Sequence, residues 1–225
     1  MIDAVVFDLD GLLLDSEQVW DAAREQLVRE RGGRWHDGAQ RDMMGMSSPE
    51  WSRYMHDELG LPEPPEELNA EVVRRMESLY REHLPVLPGA REAVERLAAR
   101  WPLGLASSSN RELIDLALEL MGMGRLFRAT VSSEEVARGK PAPDVYLEAA
   151  RRLDVDPTRA AAIEDSHNGI RSAKAAGMRV VAIPNPHFPP DEEALAQADA
   201  VLRSLDELTA EAVAGAATSS RPAPR

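Results

Sequence analysis

The sequence predicts an α/β fold: a Rossmann-like doubly wound parallel sheet carrying an inserted α-helical bundle. Three observations predict it. Short apolar runs recur along the chain and end in small polar or acidic residues, helical stretches separate most of them, and one long segment near the start is helical throughout.

The runs Ala4–Phe7, Leu103–Ala106, Ala129–Val131, Ala160–Ile163 and Val180–Ile183 read as buried strands, being apolar without alternation. Between them, Arg111 to Met121 places Leu113, Ile114, Ala117, Leu118 and Met121 at helical spacing, with Asn110 as N-cap and Gly122 beyond the end. Pro143 to Leu153 and Gly169 to Ala176 follow the same pattern, and Gly177 closes the latter. Strands alternating with helices require a parallel sheet covered on both faces, with its ligand site beyond the carboxyl ends of the strands.

Residues 16–83 break the alternation, with turns at Gly32-Gly33, Gly45 and Leu61 to Pro65. In the last helix of this stretch Leu68, Val72, Met76, Leu79 and Tyr80 fall on one stripe. The expected organisation is a catalytic core of residues 1–15 and 84–211 with a cap of residues 16–83, hinged where the chain leaves and returns near Leu87-Pro88-Gly89. Residues 212–225 lack the apolar content to pack and are expected to be a disordered tail.

Composition narrows the chemistry. With no cysteine, thiolate nucleophiles, thiolate metal sites and disulfides are excluded, so a metal would be held by oxygen or imidazole. Lys+Arg total 26 against Asp+Glu 39, a net charge of -13 that repels nucleic acid and anionic lipid. No apolar run approaches the roughly 20 residues of a membrane span. A soluble, cytoplasmic protein is expected, and a monomer fits a cap that opens and closes.

The polar residues cluster at the strand ends. Asp8 and Asp10, one residue apart after an apolar strand, point the same way; such a pair serves as a cation site, as two acids with split protonation, or simply as a solvated turn. Glu164-Asp165 ends another strand ahead of a helix, where Asp165 or Ser166 could equally be an N-cap. Ser107 and Ser108 precede a helix, in position either to cap it or to cradle a phosphate. Lys140 sits in a loop braced by Pro141 and Pro143, placed to offset carboxylate charge or to face solvent. Taken in order, Asp-x-Asp, serine, lysine and Glu-Asp supply every part that phosphoryl transfer through an aspartyl phosphate requires, with magnesium as the matching hard cation.

At these residues the chain resembles the haloacid dehalogenase superfamily, in the branch with an α-helical cap after the first strand. Phe7 to Glu17 matches the first motif of that family, Ser107 the second, Lys140 in Gly-Lys-Pro-Ala-Pro-Asp the third, and Ile163 to Ser166 with Gly169 the fourth. The resemblance implies that Asp8 is the nucleophile and a magnesium ligand, and that Asp10 protonates the leaving alkoxide and then activates water. It implies further that Asp165, Glu164 and the backbone carbonyl of Asp10 complete the metal shell, while Ser107, the Ser108 amide and Lys140 hold phosphate. Asp10 disfavours carbon–halogen chemistry, which does without that acid. The expected reaction is hydrolysis of a small phosphorylated metabolite such as a sugar phosphate. The alternative is a sugar phosphomutase of the β-phosphoglucomutase type; Trp20 and Ser48 stand where that mutase carries a histidine and a cap arginine, which favours the phosphatase.

Overall fold

The computed structural model describes residues 1–43 and 46–215. In chain order the elements are β1 (Ala4–Phe7), α1 (Glu17–Glu30), α2 (Ala39–Met43), α3 (Ser48–Asp57), α4 (Pro65–Glu82), α5 (Ala90–Ala98), β2 (Leu103–Ser107) and α6 (Arg111–Met121). They continue with β3 (Phe127–Ser132), α7 (Asp144–Leu153), β4 (Ala160–Glu164), α8 (His167–Ala175), β5 (Arg179–Ala182), α9 (Glu192–Leu195), β6 (Ala200–Val201) and α10 (Ala210–Ala214).

The strands form one sheet in the order β3-β2-β1-β4-β5-β6, every neighbouring pair parallel. The chain winds outward from β1 through β2 to β3, then restarts on the other side at β4. The reversal falls between β1 and β4, and a crevice opens there at the carboxyl edge of the sheet. Asp8 directly follows β1 while Ser107 and Glu164 end β2 and β4, so three adjacent strands deliver the residues at their carboxyl ends to one place.

Both faces are covered, as continuous apolar runs demand. Val5 and Phe7 of β1 pack with helices α5 and α6 in one core, while Ala4 and Val6 pack with α7 and α8 in the other. Period-two alternation thus divides a four-residue strand between two cores. Phe7 meets Phe127 edge-on, ring centroids 6.2 Å apart. Burying side chains of this size stabilises the sheet by about 1.5–3 kcal/mol each, which lets it carry ionised groups at its rim.

Helices α1 to α4 form the insertion between β1 and β2. On α4, Leu68, Val72, Met76 and Tyr80 are buried in one i, i+4 row. Leu79, expected on that stripe, is 36% exposed, because it lies one residue off the row. The Gly32-Gly33 turn is present, with Gly32 at φ +74°; the turn expected at Gly45 lies outside the described residues.

β1 has the expected bounds, β2 and β4 each run one residue further, β3 gains two residues at its start and one at its end, and β5 is shifted by one. The short edge strand β6 was not anticipated. The expected tail also needs correcting at its start: α10 reaches Ala214, Thr209 accepts a hydrogen bond from the Ala212 N–H at 3.3 Å, and Val213 is fully buried. One capped turn with one valine docked in the core suffices to hold these residues; the rest of the expected tail lies outside the described residues.

Candidate active site

Asp8 is the first residue beyond β1, and its N–H donates to the Ile163 carbonyl at 3.0 Å, so the sheet ladder fixes its backbone. Lys140 reaches it from the loop before α7: Nζ donates to Asp8 Oδ1 at 2.8 Å and to Glu164 Oε1 at 2.6 Å. All three side chains are at least nine-tenths buried. Burial works to lower the Lys140 ammonium, but the charges of Asp8 and Glu164 override it and leave its pKa raised. Burial pushes the Asp8 carboxyl up to about 8 against Lys140, with Glu164 and Asp10 adding to the rise. The result is one buried cation facing several carboxyls.

Glu164 accepts hydrogen bonds at both oxygens. Its Oε1 also accepts from the Tyr146 hydroxyl at 2.6 Å, while Oε2 accepts from the Asp165 N–H at 3.1 Å and the Ser166 hydroxyl at 3.2 Å. Gly169 makes this possible, since a Cβ there would lie 1.9 Å from the Glu164 carboxylate. Ser166 caps α8 by accepting from the Gly169 N–H at 3.1 Å, so Asp165 is released from the capping role open to it in the sequence.

Asp165 is buried, and its Oδ1 has no hydrogen-bond partner. Burial, followed by the Glu164 and Asp8 charges, holds its pKa well above the usual carboxylate range. An oxygen from each of Asp8, Glu164 and Asp165 lies within 4.8 Å of the others. Three buried carboxyls, one lysine and an orphaned oxygen fit a hard divalent cation, which would neutralise the excess charge. Gly11, at φ +79°, packs against Asp165 so tightly that a Cβ would lie 2.1 Å from Oδ2.

The Asp10 carboxylate falls outside that acidic group and is held by hydroxyls and an indole. Its Oδ1 accepts from Ser16 Oγ at 2.6 Å and Trp20 Nε1 at 3.3 Å, with the Tyr80 hydroxyl at 3.5 Å. Its Oδ2 accepts from Ser109 Oγ at 2.6 Å and Ser107 Oγ at 3.2 Å. Donors to Oδ1 all come from the stretch leaving β1 and from the insertion; donors to Oδ2 all follow β2.

Asp8, Asp10, Ser107, Ser108 and Lys140 line one cavity, with Trp20, Trp51 and Arg24 of the insertion opposite them. Glu164 meets the lining through Lys140, and Asp165 through the oxygen group that it forms with Asp8 and Glu164. Sequence reasoning missed the bonds that Ser16 and Ser109 make to Asp10, and it missed Tyr146, which reaches the site only through tertiary placement. It also missed Arg24, whose side chain is buried against Trp20 and Trp51.

A carboxyl-rich crevice at the switch point of a parallel sheet, with a buried lysine and serines at neighbouring strand ends, defines a phosphohydrolase of the α/β class. The model of the haloacid dehalogenase-like hydrolases matches residues 2–177, and the chain belongs to that family as one of its phosphatases. Hexitol phosphatase B of Escherichia coli (strain K12) is 37% identical over 221 residues, covering 94% of this chain and 96% of that protein. The crystal structure of CbbY from Rhodobacter sphaeroides in complex with phosphate superposes with a TM-score of 0.84 at 28% identity, covering 95% of this chain and 100% of the other. β-Phosphoglucomutase from Clostridium difficile, 24% identical with a TM-score of 0.83 over 96% of each chain, shares the fold.

Proposed function

We propose that the protein is a magnesium-dependent phosphatase of a small phosphorylated metabolite, a sugar or sugar-alcohol phosphate, acting through an aspartyl phosphate on Asp8. The observation that carries this reading is the pairing of Asp8 with a buried lysine beside a second acid, Asp10, held by hydroxyl and indole donors. Asp8, Glu164 and Asp165 would hold the cation, with the Asp10 backbone carbonyl. When bound, magnesium supplies positive charge that lowers the repulsion between carboxylate and phosphate.

Asp8 attacks phosphorus, forming the acyl phosphate as the bond to the leaving alcohol breaks. Asp10 delivers its proton to that alcohol and later takes one from the water that cleaves the acyl phosphate, returning Asp8 to a carboxylate. Lys140 balances charge on Asp8 and on the incoming phosphate. Ser107 and the Ser108 amide steady the phosphate oxygens, and Ser107 also aims Asp10. Residues 16–83 act as a cap domain over the core formed by residues 1–15 and 84–211.

Water as acceptor is supported by Trp20, whose indole occupies the approach to Asp10, and by the absence of an arginine at position 48. The identity with hexitol phosphatase B supports a sugar-alcohol phosphate as substrate. The net charge of -13 disfavours nucleic acid and anionic membranes as partners, and a monomer fits a cap that opens and closes; among the described residues no helix is long and apolar enough to cross a membrane.

The test is phosphate release from p-nitrophenyl phosphate and hexitol phosphates with magnesium and with chelator. Turnover must need magnesium and must fall at least about 1,000-fold in Asp8→Asn, as expected for loss of a covalent nucleophile. Retained turnover in that variant overturns the assignment, and phosphorus NMR showing isomerised ester instead of free phosphate would establish a mutase.

A further inference from the structure

Arg24 lies two helical turns after Glu17, so α1 presents both to the same cavity. The Arg24 guanidinium sits 4.6 Å from the Trp20 ring centroid and 4.8 Å from that of Trp51. The two indoles, their centroids 6.1 Å apart, crowd adjacent sides of the guanidinium, and its N–H groups remain for directional bonding. The residue is 5% exposed, its Nη1 donates to Gln40 Oε1 at 3.3 Å, and its Nε has no partner. An unsatisfied buried donor of this kind is destabilising, the more so in a charged group.

Glu17 completes the arrangement. Its Oε2 accepts from Gln40 Nε2 at 3.0 Å, so a single amide links acid to guanidinium. Among the described residues no direct ion pair joins Glu17 to Arg24, although both line the cavity. A buried cation with an unused N–H and a carboxylate, held apart by an amide, offers a donor and an acceptor side by side.

We propose that Glu17 and Arg24, bridged by Gln40, form a hydroxyl-recognising subsite for the leaving alcohol that selects monophosphate esters of polyhydroxy alcohols. A hydroxyl accepts from Arg24 and donates to Glu17 at once. A second phosphate or a carboxylate could accept from Arg24, but it has nothing to donate to Glu17 and is repelled by Glu17 and Asp10. A plain aromatic ester leaves both groups unpaired, and a site built to bond a hydroxyl discriminates strongly against analogues without it.

This inference rests on the phosphatase reading, and kinetics on the magnesium-loaded enzyme separate the two. With wild type, kcat/KM is measured for a hexitol 6-phosphate, its deoxygenated analogues, the matching hexitol bisphosphate and p-nitrophenyl phosphate. The hexitol monophosphate is expected to exceed the bisphosphate and at least one deoxy analogue by tenfold or more. In Arg24→Met and Glu17→Gln the ratio of kcat/KM for hexitol monophosphate over p-nitrophenyl phosphate is expected to fall at least tenfold, chiefly through KM. A fall of less than tenfold in both folded variants overturns the subsite. Should Arg24→Met not fold, the wild-type series decides alone: equal use of every deoxy analogue overturns the proposal, and preference for the bisphosphate overturns it by making Arg24 a phosphate clamp. No turnover of any ester by wild type refutes the phosphatase reading and this inference with it. Turnover with an unchanged ratio refutes the subsite only.

Discussion

Replacing Lys140 with methionine removes the one ammonium that faces Asp8 and Glu164 while keeping nearly the same chain length. In the native fold Nζ spans the two carboxyls at 2.8 Å and 2.6 Å with the lysine side chain 3% exposed, so no water can substitute for it. Each lost bond is a charge-assisted one, with a net value of about 1.5–3 kcal/mol. The sum agrees with the roughly 3–5 kcal/mol seen when one partner of a buried ion pair is removed. Methionine fills most of the vacated volume, so little of the loss comes from a cavity. Urea unfolding in chelator at neutral pH should therefore show Lys140→Met less stable by about 3–5 kcal/mol. The deficit should shrink as pH falls, because protonating the buried carboxyls removes the charge left uncompensated. A deficit below about 1 kcal/mol, the scale of an exposed pair, would refute the reasoning.

Asp165→Asn should abolish magnesium stabilisation: wild type gains about 2.7 kcal/mol when magnesium is at 100 times its Kd, and an equal gain in the variant would remove Asp165 from the cation site. Burial and the nearby Asp10 charge raise the Glu17 pKa from 4.5 to about 7, so Glu17 weakens the fold as pH climbs through that window and carries the full penalty above it. Glu17→Gln should accordingly match wild type below about pH 4.5 and exceed it by up to about 3 kcal/mol above pH 7; a constant difference across urea titrations would contradict this. Gly169→Ala sets a Cβ 1.9 Å from the Glu164 carboxylate, and overpacking of this kind should cost about 1–3 kcal/mol in thermal or urea unfolding. An unchanged midpoint would show that Glu164 can move.

The sheet was readable because its strands are unbroken apolar runs, and the helix Arg111–Met121 was read to the residue because its period and glycine stop agree. The edge strand β6 has two residues, too few to make a pattern. Within the site, Asp8, Lys140, Glu164 and Asp165 converge as the order of strand ends requires. Ser107 could be placed at the site but not its bond to Asp10, because where a hydroxyl points depends on packing. Tyr146 belongs to the buried face of α7 and reads as core until its hydroxyl is found on Glu164. Arg24 lies in the run Ala-Arg-Glu-Gln and reads as a solvated helix residue; Trp20 stands one turn before it on α1, but the Trp51 indole that completes its burial comes from α3, which no local pattern connects to it.

Asp10 stands on a seam. One oxygen is gripped by Ser16, Trp20 and Tyr80, the other by Ser107 and Ser109. Swinging the inserted helices away to admit substrate would strip Trp20 and Tyr80 from the first oxygen and leave the serines on the second. The proton carrier would then be aimed only while the chamber is shut. Admission and reaction become successive beats of one cycle, and an acyl phosphate exposed by early opening would find no aimed base to hasten its loss.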